Sequence, residues 1–160
     1  MSNAQAEVSF YQLTTHPLEK VLPKLLEKTY HSGLRALVVA SSQAQAQGLN
    51  AALWTYSPGA FLPHGMKGSS SHTPQDHPIW ITTDPHNEND ATVLVLTDER
   101  YVEDLSAYGR CVDIFDGNNP PSLASAQERY HSYRQNNHTV IYWQQSLQGT
   151  WDQVTFRSVI

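Results

Sequence analysis

Cysteine and long apolar runs are both scarce in this sequence. Cys111 is the single cysteine among 160 residues, so the chain cannot close an intramolecular disulfide. No stretch approaches the ~18 consecutive apolar residues that a membrane-spanning helix needs. The first residues also lack the basic and then apolar pattern of a secretion signal. We therefore expect a protein of the reducing cytoplasm, whose Cys111 thiol is buried and unreactive.

Positive charge is also in short supply. The chain has 10 lysines and arginines against 15 aspartates and glutamates, a formal net charge of −5. Because nucleic-acid binding relies on cations that neutralise phosphates, this balance disfavours a general nucleic-acid binder. The length suits one domain. We assign residues 5–145 to that domain, residues 1–4 to a remnant of cloning and residues 146–160 to a polar C-terminal tail.

Apolar periodicity predicts alternating strands and helices. Short apolar or alternating runs indicate strands, and apolar residues at helical spacing indicate helices. The predicted strands are 8–13, 34–40, 78–82, 91–97, 111–115 and 139–143, and the predicted helices lie within 14–33, 43–54 and 121–134. This order predicts a single three-layer α/β domain with a mostly parallel central sheet flanked by helices.

An apolar strand that ends in two carboxylates raises the question of nucleotide hydrolysis. Asp98 and Glu99 follow the run 93–97, where a Walker B motif places the carboxylates of its magnesium site. A phosphate loop, however, needs G-x-x-x-x-G-K-[ST] between a strand and a helix. In the segment 65–71 the lysine precedes the glycine, and a strand follows. We predict a nucleotide-binding-like fold without a phosphate loop. The alternative function is a degenerate mononucleotide-binding hydrolase that uses Asp98 and Glu99.

Signatures of metal sites and nucleophiles are missing as well. None of the 8 histidines forms an i, i+4 pair on a helix, and one cysteine excludes the common thiolate ligand sets. His72 and His77 share a polar segment that could fold around an ion, but scattered loop histidines are usually surface residues. No G-x-S-x-G motif occurs. We predict no catalytic residue, no metal and no cofactor.

The stretch 52–66, "ALWTYSPGAFLPHGM", gathers aromatic residues and prolines around a turn. Trp54 closes the second predicted helix, and Phe61 and Pro63 follow the turn. Such residues usually fill a core, yet tryptophan and phenylalanine are also enriched at the centres of protein interfaces. The residues alone leave both interpretations open, a core corner and an exposed docking patch.

The last predicted helix concentrates positive charge in an otherwise acidic chain. Arg129, His131 and Arg134 alternate with Tyr130 and Tyr133. Cations and aromatic rings on one helix suit an acidic peptide that ends in an apolar residue. The alternatives are a solvated helix face with its tyrosines packed inward, which the residues alone favour, and direct binding of single-stranded DNA, which the net charge disfavours.

Several of these segments, in this order, resemble a known family. "FYQL", "GLRALVVASSQAQAQGLNAALWTYSPGAFLPHG", "VLVLTD", "VDIF" and "ERYHSYR" are similar to the chi subunit of bacterial DNA polymerase III over about residues 9–145. The most telling pieces are Ala-Leu-Trp followed by Phe-x-Pro-His-Gly, and Glu-Arg-Tyr-x-x-Tyr-Arg. Each is short, but their order and spacing make the resemblance fairly specific.

The resemblance implies a non-catalytic adaptor of the clamp-loader assembly, without strong direct nucleic-acid binding or membrane contact. One surface would bind the psi subunit, which links chi to the clamp loader. A separate surface would bind the acidic C-terminal tail of single-stranded DNA-binding protein. Carried over by position, the psi surface comprises Trp54, Phe61, Leu62, Pro63 and His64. The tail site comprises Phe115, Gln127, Arg129, Tyr130, His131 and Arg134.

Two positions of the tail site depart from the family pattern. Gln127 and His131 stand where well-known members of the family carry basic residues. A hydrogen bond to a charged group contributes ~1.5–3 kcal/mol, so the loss of two full charges predicts weaker capture of an aspartate-rich tail. His131 can still contribute when it is protonated.

Overall fold

A computed structural model of the chain describes residues 6–57, 59, 62–68, 73–98 and 100–154. Its strands are β1 (Glu7–Leu13), β2 (Ala36–Val39), β3 (Gly65–Met66), β4 (Ile79–Thr82), β5 (Val93–Thr97), β6 (Arg110–Asp116), β7 (Thr139–Gln145) and β8 (Trp151–Val154). Its helices are α1 (Leu18–His31), α2 (Gln43–Thr55) and α3 (Pro120–Gln135). A short 3-10 turn, Pro74–Asp76, precedes β4. The six predicted strands and three predicted helices are all present, with ends shifted by a few residues.

All eight strands join one sheet in the order β3-β4-β2-β5-β6-β1-β7-β8. Every neighbouring pair is parallel except β7 and β8, which are antiparallel. Parallel strands require crossover connections, and α1, α2 and α3 supply three of them. The predicted mostly parallel α/β fold is confirmed.

The sheet separates two apolar cores, as expected when helices cover both faces of buried parallel strands. One core contains side chains of α1 and α2, and the other contains side chains of α3. Successive residues of one strand point to opposite faces, so Val38 enters the first core and Val39 the second. The helices therefore form the outer layers of a three-layer domain.

The second core is rich in aromatic rings and also contains the cysteine. Phe10 lies at its centre, with ring centroids of four neighbours between 5.9 and 6.4 Å away: Phe115, Tyr130, Tyr133 and Tyr142. Cys111 is fully buried in the same core, and burial raises the pKa of its thiol. The pKa rises because a thiolate in the core would lose its hydration. The prediction of a buried thiol is confirmed.

Helix starts follow the capping rules that the sequence suggests. Ser42 caps α2 by accepting a hydrogen bond from the backbone N–H of Gln45. The Gln45 side-chain oxygen accepts in turn from the backbone N–H of Ser41 at 2.7 Å. Asn119 caps α3 through the N–H of Ser122. These caps fix the residues at which α2 and α3 begin.

Two short edge strands were not predicted. β3 lies in a segment for which no strand was predicted, and it approaches β4 closely because Gly65 has no side chain: a Cβ there would lie 2.7 Å from atoms of His77 and Trp80. β8 lies within the segment taken as a polar tail and pairs with β7. Trp151 of β8 packs edge-on against Tyr11, with ring centroids 5.0 Å apart.

A buried ion pair joins α3 to the centre of the sheet. The Arg129 guanidinium donates from Nε to Asp113 Oδ2 at 2.7 Å and from Nη2 to Asp113 Oδ1 at 3.0 Å. The Arg129 side chain is 5% exposed and that of Asp113 is 1% exposed. A third bond joins Nη1 to Ser125 Oγ at 2.7 Å. A bidentate, buried ion pair of this kind fixes the orientation of α3 on β6.

Removing one charge of this pair should destabilise the fold. We expect Asp113→Ala to lower the free energy of unfolding by ~3–5 kcal/mol, because Arg129 is left buried without its counter-ion. Urea denaturation followed by circular dichroism measures the change.

The control for this measurement is on the same strand. Arg110→Ala removes the exposed ion pair to Glu7 and should cost less than ~1 kcal/mol. Replacing both partners together, as Asp113→Leu with Arg129→Met, should be milder than Asp113→Ala. An Asp113→Ala effect no larger than that of Arg110→Ala would contradict the role of the pair.

Candidate partner-binding sites

Trp54 stands at the surface near the end of α2. Its side chain is 55% exposed, although the neighbouring Leu53 is 1% exposed and packs in the first core. The Trp54 ring contacts the imidazole of His64, with ring centroids 4.6 Å apart and planes inclined by 54°. An exposed indole is therefore held in a defined place by a rigid helix and a buried histidine.

The rest of the predicted psi surface divides between core and surface. Leu62 is 2% exposed and belongs to the first core, so its side chain supports the turn instead of offering a contact. Pro63 is half-buried, and His64 is 6% exposed. Phe61 lies outside the described residues. The stretch 52–66 thus contains both a core corner and an exposed edge.

His64 has one satisfied and one unsatisfied ring nitrogen. Its Nδ1 lies 2.6 Å from the carbonyl oxygen of Leu62, two residues earlier. Its Nε2 is buried and has no hydrogen-bond partner among the residues that the structure describes. Buried polar atoms in folded proteins are hydrogen-bonded in the great majority of cases, so an exception calls for an explanation.

Three residues of the predicted tail site lie in the interior of the domain. Phe115 is 1% exposed and Tyr130 is 7% exposed, and both rings pack around Phe10. Arg129 is engaged by Asp113 as described above. Tyr133 is fully buried as well. The tyrosines pack inward, as the alternative of a solvated helix face predicted. Tyr130 and Tyr133 therefore do not present the exposed rings on which the bases of single-stranded DNA would stack.

Three residues of that site remain accessible. Gln127 is half-buried, and His131 and Arg134 are exposed. The Arg134 guanidinium lies 5.8 Å from the ring centroid of Tyr130, and its Nη1 donates to the Tyr130 hydroxyl at 3.3 Å. The His131 ring meets the same tyrosine edge-on at 5.7 Å. The accessible positive charge therefore gathers around Tyr130, towards the C-terminal end of α3.

A small pocket on the same helix was missed by the sequence analysis. It has a volume of about 320 Å³ and is lined by Tyr101, Ser125, Glu128, Arg129 and Ser132. Tyr101 is 39% exposed, and its hydroxyl lies 2.8 Å from Ser132 Oγ. No motif marks Tyr101, because it follows β5 in an irregular segment and only the fold brings it to α3.

The carboxyl ends of β2 and β5 form the crevice where open α/β sheets usually bind ligands. Here the protein's own side chains fill it. Gln45 Nε2 donates to Asp98 Oδ2, and Thr97 Oγ1 donates to the carbonyl of Val39 at 2.8 Å. Ser41 Oγ lies 3.5 Å from the same Asp98 oxygen. The Asp98 carboxylate is thus held at the N-terminus of α2, a place where nucleotide-binding folds hold phosphate. Glu99 lies outside the described residues.

Within the described ranges, no group of three or more His, Cys, Asp or Glu side chains is arranged to hold a metal ion. Of the candidate histidines, His72 is outside those ranges. No helix in the described part of the chain is both long and apolar enough to cross a membrane.

Comparison with known proteins identifies the family. Residues 6–141 match the family described as "DNA polymerase III chi subunit, HolC". The chain is 36% identical over 90 residues to the "Probable DNA polymerase III subunit chi" of Rickettsia prowazekii (strain Madrid E), a match that covers 56% of this chain and about half, 53%, of that relative. It is 27% identical over 129 residues to the "DNA polymerase III subunit chi" of Haemophilus influenzae (strain ATCC 51907 / DSM 11121 / KW20 / Rd), covering 78% of this chain and 88% of that protein. The chain belongs to the DNA polymerase III chi subunit family.

Proposed function

We propose that this chain is a non-catalytic adaptor of DNA replication, which links the psi subunit of the clamp loader to the acidic C-terminal tail of single-stranded DNA-binding protein. The observation that carries the proposal is the 55% exposure of Trp54 on an ordered helix. Tryptophan is among the residues most enriched at binding hot spots. The resemblance to the chi subunit suggests these partners, and the exposed indole supports the proposed surface.

The psi surface is built on a rigid support. Leu53 and Leu62 are buried on either side of the turn, and His64 lies against the indole. A preorganised side chain loses little conformational freedom on binding, so more of its apolar contact appears as affinity. We assign Trp54 as the anchor and His64 as its support. Phe61 and Pro63 complete the proposed surface by the family resemblance.

The tail site is centred on Arg134. Arg134 and His131 surround the edge of Tyr130, and Gln127 is accessible on the same helix. Arg129 fixes α3 through Asp113 and also lines the nearby pocket beside Tyr101. This pocket offers a place for the C-terminal end of the peptide. One arginine and one histidine are a sparse cationic site, so binding is weak and falls further as salt rises.

Trp54→Ala should abolish binding to psi and keep the fold. A hot-spot truncation costs at least ~2 kcal/mol, or roughly 30-fold in affinity. Isothermal titration of the full chain with psi measures the loss. Leu147→Ala is the matched control, because Leu147 is 86% exposed in the turn between β7 and β8; its affinity should equal that of the wild type. Equal affinity of the Trp54→Ala variant would contradict the psi surface, and global unfolding of that variant would assign Trp54 to the core.

Arg134→Ala should weaken binding of an acidic peptide of the Asp-Asp-Ile-Pro-Phe type by about tenfold or more, since a charge-assisted hydrogen bond is lost. His131→Lys and Gln127→Arg should each strengthen it by restoring a full charge. Titration at low and moderate salt measures both the affinity and its salt slope. Lys20→Ala, an exposed cation on α1, is the control and should have no effect. Absence of binding at low salt and high peptide concentration would contradict the tail function.

A further inference from the structure

The unsatisfied nitrogen of His64 can be assigned a chemical role. The carbonyl oxygen of Leu62 can only accept a hydrogen bond, so the Nδ1 that lies 2.6 Å from it must carry the hydrogen. In the neutral imidazole, Nε2 is then a bare acceptor. This atom is buried and finds no hydrogen-bond partner in the described part of the chain, so its lone pair has lost its water without gaining a donor there.

The location of this acceptor connects it to the proposed psi surface. The His64 ring is 4.6 Å, centroid to centroid, from the half-exposed indole of Trp54. An unsatisfied hydrogen-bond acceptor in the middle of a core has no donor within reach of a partner. An acceptor beside an exposed side chain can receive a hydrogen bond from a bound partner. Binding sites for proteins combine an apolar anchor with a few placed polar groups, and a paired acceptor adds specificity.

We propose that His64 Nε2 accepts a hydrogen bond from the partner that docks on Trp54. The partner must then present an apolar side chain to the indole and, beside it, a donor such as a backbone N–H, a hydroxyl or a side-chain amide. Because Nε2 is excluded from solvent in the unbound chain, a covering side chain has to shift first. This inference rests on the proposed function and makes His64 a determinant of partner specificity.

A pair of conservative variants separates this role from a structural one. Glutamine places a side-chain oxygen near the position of Nε2, so His64→Gln keeps an acceptor there. Asparagine reaches only the position of Nδ1, so His64→Asn keeps a donor for the Leu62 carbonyl but loses the acceptor. Titration of the full chain with psi should give His64→Gln an affinity within about threefold of wild type, and His64→Asn an affinity at least about tenfold weaker.

The outcomes distinguish this inference from the function on which it rests. If Trp54→Ala loses psi and His64→Asn does not, the role of Nε2 is wrong and the adaptor function stands. If both histidine variants lose affinity equally and melt at lower temperature, the imidazole is structural and the inference is also wrong. If wild type does not bind psi, both proposals fall. Should His64→Asn not fold, His64→Phe retains a ring against Trp54 without either nitrogen and carries the same expectation.

Discussion

The buried ion pair of Asp113 and Arg129 fixes α3 on the sheet and so determines which side chains this helix presents to a partner. Asp113 lies in the middle of β6, in a strand whose neighbours along the chain are apolar, and an isolated carboxylate there would be strongly unfavourable. Arg129 supplies the counter-charge with two hydrogen bonds and so fixes α3 on the sheet. The same bonds leave Arg129 only 5% exposed, at the wall of the pocket beside Tyr101. Fold stability and the composition of the tail site therefore depend on one contact.

The turn between α2 and β3 likewise combines buried residues that stabilise the fold with an exposed residue that can bind a partner. Leu53 and Leu62 anchor the turn in the core, and their burial leaves Trp54 with half of its side chain in solvent. His64 takes part in both, because its Nδ1 donates to the Leu62 carbonyl within the turn and its Nε2 is the acceptor that we propose the partner pairs. At the carboxyl ends of β2 and β5, Gln45 Nε2 donates to Asp98 and Thr97 Oγ1 donates to Gln45 Oε1.

The interior elements could be predicted from sequence because they carry strong signals. Strands such as 36–39 are buried on both faces and are entirely apolar, and the Ser42 cap marks the start of α2. The edge strands carry no such signal: β3 is two residues long, and β8 reads Trp-Asp-Gln-Val. A strand of this kind is stabilised by its one neighbour and by contacts such as that of Trp151 with Tyr11, which only the folded chain brings together.

The site was harder to predict for a related physical reason. Periodicity placed Arg129 and Tyr130 on a basic helix, but it could not say which of them faces inward. One signal was present: an aspartate inside the apolar run "CVDIF" requires a buried partner, and an arginine on the following helix is the natural candidate. The exposure of Trp54 and the orphaned Nε2 of His64 depend on the path of the turn, which no local pattern encodes.

The central claim is that two partners bind at separate surfaces, Trp54 on one helical layer and Arg134 on the other. Sedimentation velocity of the chain mixed with psi and a labelled acidic tail peptide tests this claim most directly. The account predicts one complex that contains all three components, with the peptide sedimenting together with psi. Displacement of the peptide as psi is added would place both partners on one surface and contradict it.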